Sequence, residues 1–223
     1  MTAPAAHPGR RLDGKVAVVT GAASGIGRAI ARRFVAEGSA VVGGDLDKSG
    51  LAALEDELGD GFVAAPGDVT VEEDQAALVA TAVDRFGRLD IAVANAGTGH
   101  LAPIVDHDMA DWQRIIDLCL TGVFLTVKHA GRAMCAGEGG SIVTMASLNA
   151  VQPAAGMSAY CSAKAAVAML AEVAAIELGP AGIRVNAIGP GLVQTGLPAP
   201  LWSMPDVVED FVDNTTIGRF AQP

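Results

Sequence analysis

Aromatic residues and cysteines are scarce in this chain of 223 residues. Aromatics make up 4% of it, with a single tyrosine, and there are three cysteines. An odd number of cysteines without a Cys-x-x-Cys pair argues against a disulfide framework and is typical of reduced thiols, so we expect a cytoplasmic protein. The four histidines show no metal-ligand spacing, and we predict no metal site.

Basic residues and long uninterrupted apolar runs are also lacking. Fifteen lysines and arginines against 25 acidic residues give a net charge of −10, which would repel a nucleic-acid backbone. The longest uncharged stretches, 139–163 and 185–205, are broken by Gly, Pro, Ser and Asn, so we predict no membrane-spanning helix and no membrane partner. The 51% apolar content is enough to fold without disulfides.

Short β-branched runs alternate with longer helical stretches along the chain. The predicted strands are 16–20, 40–45, 62–65, 89–95, 141–145 and 183–188, and the predicted helices are 25–37, 48–58, 71–86, 108–135 and 158–178. This alternation predicts an α/β fold, a doubly wound parallel sheet in three α/β/α layers. We expect residues 1–13 to form a flexible leader and 14–223 a single domain, with a substrate lid at about 192–217.

A glycine-rich segment, TGAASGIG at 20–27, follows the first predicted strand and opens a helix. Glycines let the backbone approach a pyrophosphate closely, and the helix N-terminus offers free N–H groups. Asp45 ends the second strand, where a carboxylate binds ribose hydroxyls and repels a 2′-phosphate, so it favours NAD over NADP. A less favoured alternative is that Asp45 is an ordinary strand-end cap, and Arg28 is a weak argument for NADP.

Tyr160 and Lys164 lie four residues apart on a predicted helix, so both project from one face. A nearby ammonium favours tyrosinate, and we expect it to lower the tyrosine pKa toward neutrality, where general acid–base catalysis is efficient. Such a pair is often only a helix surface. Lys164, however, is the only charge between Glu138 and Glu172, and a lone ammonium in an apolar stretch needs a partner. Ser147, just beyond the fifth strand, could donate to a substrate oxygen or could simply begin a loop.

In order and spacing, these residues resemble the short-chain dehydrogenase/reductase family over nearly the whole chain, with NAG at 95–97, YCSAK at 160–164 and IRVNAIGPG at 183–191. The resemblance implies a Rossmann-type fold that binds NAD or, less favoured, NADP. It implies that Tyr160 is the acid/base, that Lys164 holds the nicotinamide ribose and that Ser147 orients the substrate. The implied cofactor-binding residues are Gly21, Ser24, Gly25, Ile26, Gly27, Asp45, Leu46, Asp68, Val69, Asn95, Ala96, Gly97, Tyr160, Lys164, Pro190, Gly191, Val193 and Thr195, and the implied substrate-binding residues are Ser147, Asn149, Tyr160 and Leu192.

Two positions depart from the family pattern. Where relatives carry an asparagine of the catalytic set, this chain has Cys119, and a thiol is a poorer hydrogen-bonding group than an amide. Relatives also continue beyond a segment like 217–223 into a further helix and strand, so we expect the natural chain to be longer. The resemblance further implies a homotetramer or homodimer formed through the helices near 108–135 and 158–178, and the second of these is apolar almost all round.

These observations favour an NAD(H)-dependent oxidoreductase that interconverts a secondary alcohol and a ketone. Two alternatives stay open: an NADP-dependent 3-oxoacyl-thioester reductase, and a catalytically silent NAD-binding sensor or scaffold. Apolar side chains in the lid segment would suit a partly apolar substrate or merely pack the lid down; they are Leu192, Leu197, Leu201, Trp202, Met204, Val207, Val208 and Phe211. Further candidates to line the pocket are His100, Leu101, Asn149 and Gln152.

Overall fold

The structure is a computed structural model that describes residues 10–195, 209, 212–213 and 215–223. Most of the predicted leader lies outside the described residues. So do seven of the eight apolar residues predicted in the lid: Leu197, Leu201, Trp202, Met204, Val207, Val208 and Phe211. The strands are β1 (Val16–Thr20), β2 (Ala40–Asp45), β3 (Phe62–Pro66), β4 (Ile91–Ala94), β5 (Gly140–Met145) and β6 (Ile183–Ile188). The helices are α1 (Gly25–Ala36), α2 (Lys48–Leu58), α3 (Glu72–Phe86), α4 (Met109–Ile116), α5 (Gly122–Cys135) and α6 (Ser158–Leu178).

The six strands form one parallel sheet in the order β3-β2-β1-β4-β5-β6. The chain therefore winds outward from β1 in one direction and from β4 in the other, and the order reverses between these two strands. Ligands of such sheets bind in the crevice at the carboxyl ends of the strands beside this reversal. The predicted doubly wound α/β fold is confirmed.

Helices cover both faces of the sheet, and β1 shows why its sequence is apolar throughout. Its alternate residues Ala17 and Val19 belong to a buried cluster with Ala31 of α1 and Leu51 of α2. Val16 and Val18 belong to the cluster on the other face, with side chains from α3, α5 and α6. A strand that is buried on both faces has no polar alternate position. That two-sided packing holds the carboxyl end of β1, and the glycine-rich segment after it, in a fixed place.

The predicted helix 108–135 is confirmed as one unbroken helical run over residues 109–135, but it is not α-helical throughout. Two α-helices, α4 and α5, are joined by a π-helical turn at Asp117–Thr121. A π turn inserts one extra residue per turn and is frequently found at functional sites. The other predicted elements differ from the structure by one or two residues at their ends, most at β4, where the predicted 89–95 is reduced to Ile91–Ala94.

Residues 158–181, which comprise α6 and the turn after it, are the one segment of the described chain long and apolar enough to cross a membrane by composition. This helix nevertheless packs on β5 and β6 and buries Val167, Ala171 and Ala174 in the core. It also buries the ammonium-bearing side chain of Lys164. These are features of a core helix, so the composition is weak evidence for a membrane span.

Candidate active site

The glycine-rich segment makes a tight turn between β1 and α1. Gly21 and Gly25 have φ values of 67° and 52°, a region that other residues rarely adopt. A Cβ at Gly27 would collide with the carbonyl oxygen of Gly21 and lie 2.6 Å from Nδ2 of Asn95. Among the described residues, Ser24 at the N-cap of α1 makes no side-chain capping bond. The turn therefore leaves backbone room and helical N–H groups for a pyrophosphate.

Asn95 ties this turn to the end of β4. Its Nδ2 donates to the carbonyl of Thr20 over 2.9 Å, and its backbone N–H donates to the Thr20 hydroxyl over 2.9 Å. The same hydroxyl accepts from the N–H of Ala96 over 3.1 Å. The two strand ends on either side of the sheet reversal are thus joined by side chains. Asn95, predicted to bind cofactor, shapes the crevice through its amide and leaves ligand contact to the backbone around it.

Asp45 turns its carboxylate back onto the glycine-rich segment. Oδ2 accepts from the N–H of Ala23 and Oδ1 from the N–H of Asp47, each over 3.0 Å. Leu46 beside it is 67% exposed. The strand-end cap and the ribose-binding role are compatible, because each carboxylate oxygen keeps a lone pair after one backbone bond. The negative charge therefore lies at the edge of the turn where an adenosine ribose would be held.

Asp68, Val69 and Gly97 complete the wall of the crevice. The Asp68 carboxylate accepts from the N–H and the hydroxyl of Thr70, over 2.8 and 2.7 Å. Val69 is buried against Gly122 at the start of α5. A Cβ at Gly97 would lie 3.5 Å from both Nζ of Lys164 and Sγ of Cys119. The backbone after β4 therefore runs directly beside the predicted catalytic group.

Ser147, Tyr160 and Lys164 come together at the carboxyl edge of β5. Ser147 follows this strand, is buried, and forms a side-chain hydrogen bond with Tyr160. Lys164 is 3% exposed and its Nζ donates to the carbonyl of Met145 over 2.7 Å. The ammonium lies 5.6 Å from the centre of the Tyr160 ring. The arrangement places a hydroxyl donor, a phenol and a fixed cation at one point of the crevice.

The pKa directions of this group differ from the prediction. Burial raises the pKa of Tyr160 above its usual value, and the hydrogen bond from Ser147 opposes this only in part. Burial likewise lowers the pKa of Lys164. The expected lowering of the tyrosine pKa is therefore not seen, because the cost of removing the phenolate from water is larger than the effect of the Ser147 hydrogen bond.

Cys119 lies in the π turn, fully buried, and packs with Ala159 and Ala163 of α6. Its thiol donates to the carbonyl of Thr98 over 3.1 Å and accepts from the Thr98 N–H over 3.4 Å. The thiol therefore makes one hydrogen bond as donor and one as acceptor, and that it is a poorer hydrogen-bonding group than an amide stays a prediction. Cys119 thus fixes the backbone after β4. Among the described residues, no hydrogen bond joins Cys119 to Tyr160.

The segment after β6 lies along the opposite side of the crevice. The carbonyl of Pro190 accepts from the N–H of Leu148, and Gly191 follows it at the surface. Leu192 and Val193 pair with Ala221. The methyl group of Thr195 lies 3.3 Å from a Cβ placed at Gly25, so this side chain overhangs the start of α1.

Asn149, predicted to bind substrate, uses its side chain within its own loop. Its Nδ2 donates to the carbonyl of Gln152 over 3.0 Å, and its N–H donates to the Ser147 hydroxyl over 3.1 Å. Asn149 therefore orients Ser147. The Met145 carbonyl could not be predicted as the partner of Lys164, because every residue has a backbone carbonyl and none of them is visible as a sequence signal. The Thr20 hydroxyl could have been predicted as a partner, because Thr20 is the first residue of the TGAASGIG motif.

The comparisons agree with this geometry. A family model described as short chain dehydrogenase matches residues 15–206. The chain is 43% identical over 219 residues to cis-4-hydroxycyclohexanecarboxylate dehydrogenase from Sinomonas cyclohexanicum, covering 96% of this chain and 87% of that protein. It is 42% identical over 214 residues to 3-alpha-(or 20-beta)-hydroxysteroid dehydrogenase from Mycobacterium tuberculosis, covering 96% and 79%.

The solved structure of a short-chain type dehydrogenase/reductase from Mycobacterium marinum superposes with a TM-score of 0.90 at 34% identity, covering 96% of this chain and 85% of that one. Family membership implies an oxidoreductase that acts on CH–OH donors with a nicotinamide cofactor. The glycine cradle and the uncapped N-terminus of α1 fit the pyrophosphate of such a cofactor. This chain belongs to the short-chain dehydrogenase/reductase family.

Proposed function

We propose that this protein is an NAD-dependent dehydrogenase that interconverts a secondary alcohol and a ketone, with Tyr160 as the acid/base. The observation that carries this is the meeting of buried Ser147 and Lys164 with half-buried Tyr160, at the carboxyl edge of the same sheet whose β1–α1 turn has room for a pyrophosphate. When bound, the nicotinamide accepts or gives the hydride. The chain's own residues supply position and proton movement.

Each side chain of the set has a distinct role in this proposal. The Ser147 hydroxyl, itself oriented by the Asn149 N–H, donates to the substrate oxygen as charge develops there. Tyr160 gives its proton to that oxygen during reduction and takes it back during oxidation. Lys164 is fixed by the Met145 carbonyl with its Nζ 5.6 Å from the centre of the Tyr160 ring, where a positive charge would stabilise the phenolate. Burial raises the pKa of Tyr160, so the protonated phenol that reduction requires is favoured over the phenolate that oxidation requires.

Asp45 supports NAD as the cofactor. Its carboxylate is fixed by two backbone N–H groups at the edge of the glycine turn, where a 2′-phosphate would bring a second negative charge. Arg28, the weak argument for NADP, forms an ion pair with Glu57 over 3.1 Å. Its charge is thereby directed away from a free phosphate site. The NADP-dependent 3-oxoacyl-thioester reductase is correspondingly less favoured.

For the substrate we propose a partly apolar secondary alcohol with a ring. Large apolar side chains of the loops after β4 and β5 are exposed near the catalytic edge: Leu101, Ile104, Val105 and Val151. The backbone N–H of Ala102 donates to the Gly156 carbonyl, so these two loops meet next to the start of α6. The two relatives named above carry ring alcohols in their names, a hydroxysteroid and a hydroxycyclohexanecarboxylate.

We further propose a homotetramer or homodimer in the cytoplasm. Met169, Val173 and Ile176 form one exposed stripe along α6, between 43% and 78% exposed, and Phe124 of α5 is 45% exposed. Apolar stripes of this kind are removed from water when two copies pack helix against helix. All three cysteines are free thiols, in keeping with a reducing compartment.

The decisive experiment is a screen of cyclic and open-chain secondary alcohols with NAD and with NADP, followed by Tyr160→Phe. We expect turnover with NAD and a loss of at least about a thousandfold in kcat for the variant, whose ring packs as before but carries no proton. Thr81→Ala, which removes a hydroxyl from the exposed side of α3, is the control and should turn over normally. Tight NAD binding without turnover on any alcohol would favour the silent sensor, and full activity of Tyr160→Phe would refute the assignment.

A further inference from the structure

The first turn of α6 carries Tyr160 as its third residue, yet it begins without the usual capping side chain. Met157 occupies the N-cap position, and within the described residues no side chain makes a capping hydrogen bond there. The first four N–H groups of a helix have no partner within the helix, and a missing cap leaves its first turn prone to fraying. The catalytic phenol is therefore mounted on a turn that needs support from elsewhere.

His107, in the loop between β4 and α4, provides a contact to this turn. Its Nδ1 lies 3.2 Å from the hydroxyl of Ser158, the first residue of α6. The imidazole packs edge-on against Trp112 of α4, with ring centres 5.8 Å apart, and beside His100 at 5.4 Å. These ring contacts hold the imidazole in place, so the contact from Nδ1 joins a fixed group to the turn.

The other ring nitrogen of His107, Nε2, helps to identify the role of the contact from Nδ1. Nε2 of His107 is shielded from solvent and has no hydrogen-bond partner among the described residues. The Ser158 hydroxyl is therefore the one hydrogen-bond partner that the described chain offers this imidazole. Burying a ring nitrogen without a partner is unfavourable, and a leucine of similar volume would avoid that penalty. The geometry accordingly indicates that the histidine is used for its contact with Ser158.

We propose that His107 is a positioning residue that, through Ser158, holds the first turn of α6 and with it the hydroxyl of Tyr160 next to Ser147. This rests on the proposed function of Tyr160. The effect is local, since Tyr160 lies two residues beyond Ser158 in the same helical turn. The loop that carries His107 also follows β4, so the proton donor and the wall of the crevice are fixed together.

The test is a double-mutant cycle of His107→Ala and Ser158→Ala, with His107→Asn as the conservative variant. Each alanine variant should lower kcat about five- to tenfold, since one hydrogen bond is lost. The double variant should be no slower than the worse single one, because both remove the same contact. KM for NAD should not change, as the glycine turn is untouched. Asn places a polar atom where Nδ1 lies and should restore most of the rate.

Hydrogen exchange of the segment 157–165 provides a readout that does not need turnover. Exchange should be faster in both alanine variants, while His107→Asn and the control Thr81→Ala should match the wild type. If His107→Ala does not fold, Ser158→Ala alone decides, because alanine is accepted at a helix start. Additive losses in kcat, failure of the Asn rescue or unchanged exchange in Ser158→Ala would each overturn the proposal. If the wild type oxidises no alcohol, the proposed function fails and the exchange result still tests the contact.

Discussion

Replacing Cys119 by alanine tests whether its thiol organises the site. The substitution removes both hydrogen bonds to Thr98 and leaves the N–H and carbonyl of that half-buried residue without this partner. An unsatisfied buried group costs about 1–3 kcal/mol, and the small void left by the sulfur adds about 1 kcal/mol. Since bonds to sulfur are weak, we take the lower end and expect a loss of about 2–3 kcal/mol in the free energy of unfolding. For a domain of this size that lowers Tm by roughly 4–12 °C.

The same change should slow catalysis. The backbone held by the thiol passes next to Gly97, which faces Nζ of Lys164. If about 1 kcal/mol of the lost positioning appears in the barrier, kcat falls about fivefold. Cys119→Asn is the informative partner variant, because a carboxamide offers one donor and one acceptor, as the thiol does. We expect this variant to stay within about threefold of the wild-type kcat.

Thermal unfolding followed by circular dichroism and the appearance of reduced nicotinamide measure the two effects. Cys135→Ala is the matched control, because this cysteine is exposed at the end of α5. It should leave both Tm and kcat unchanged. The reasoning is refuted if Cys119→Ala unfolds at the wild-type temperature with the wild-type kcat. A large gain of activity in Cys119→Asn would instead show that the thiol is a poor substitute for the amide.

Four further predictions follow from the same geometry. Gly27→Ala, whose Cβ would collide with the Gly21 carbonyl, should weaken NAD binding measured by calorimetry more than about tenfold; unchanged affinity would contradict the tight turn. Asp45→Asn removes the repulsion of a 2′-phosphate, worth about 1–3 kcal/mol, so the ratio of kcat/KM for NADP to that for NAD should rise about five- to hundredfold. Because burial raises the pKa of Tyr160, alcohol oxidation should accelerate with pH up to at least about pH 10 and ketone reduction should not; an oxidation rate that is flat above neutrality would contradict this. Ile176→Glu should weaken the oligomer and so lower the mass measured by light scattering. An unchanged mass would show that α6 is not part of the interface.

The strands and most helices could be predicted from sequence because their apolar periodicity follows directly from burial. The run Val16–Thr20 lacks a polar position and is covered on both faces, as a parallel sheet requires. The junction between α4 and α5 could not be predicted in this way. A π turn at Asp117–Thr121 keeps helical periodicity on both sides, so its single extra residue is invisible in a hydrophobic pattern. Its position depends on packing against α6 and the loop after β4.

The candidate site likewise has features that could be predicted from the sequence and features that could not. Tyr160, Lys164 and the glycine turn were accessible because their spacing is local: four residues on a helix, eight residues in a turn. The pKa directions were not, since desolvation depends on how completely distant elements bury a group, and burial is the largest cause of the shift in both Tyr160 and Lys164. Asn149 and Asn95 also looked like ligand contacts, whereas their amides bind the chain's own carbonyls. A polar side chain at a strand end indicates where the crevice lies, but it does not indicate which group that side chain binds.

The crevice is held by contacts between loops that are far apart in sequence. Thr20 binds Asn95 across 75 residues, and the thiol of Cys119 binds Thr98 across 21. Each contact uses a side chain to satisfy the backbone of a neighbouring strand end, and backbone groups there have no ladder partner. These contacts fix the loops of the crevice, so that the side chains of the proposed catalytic set need not move during the reaction. Loss of a single contact should therefore affect kcat more than ligand affinity, and a variant series that changed only KM would show that the loops adapt to the substrate instead.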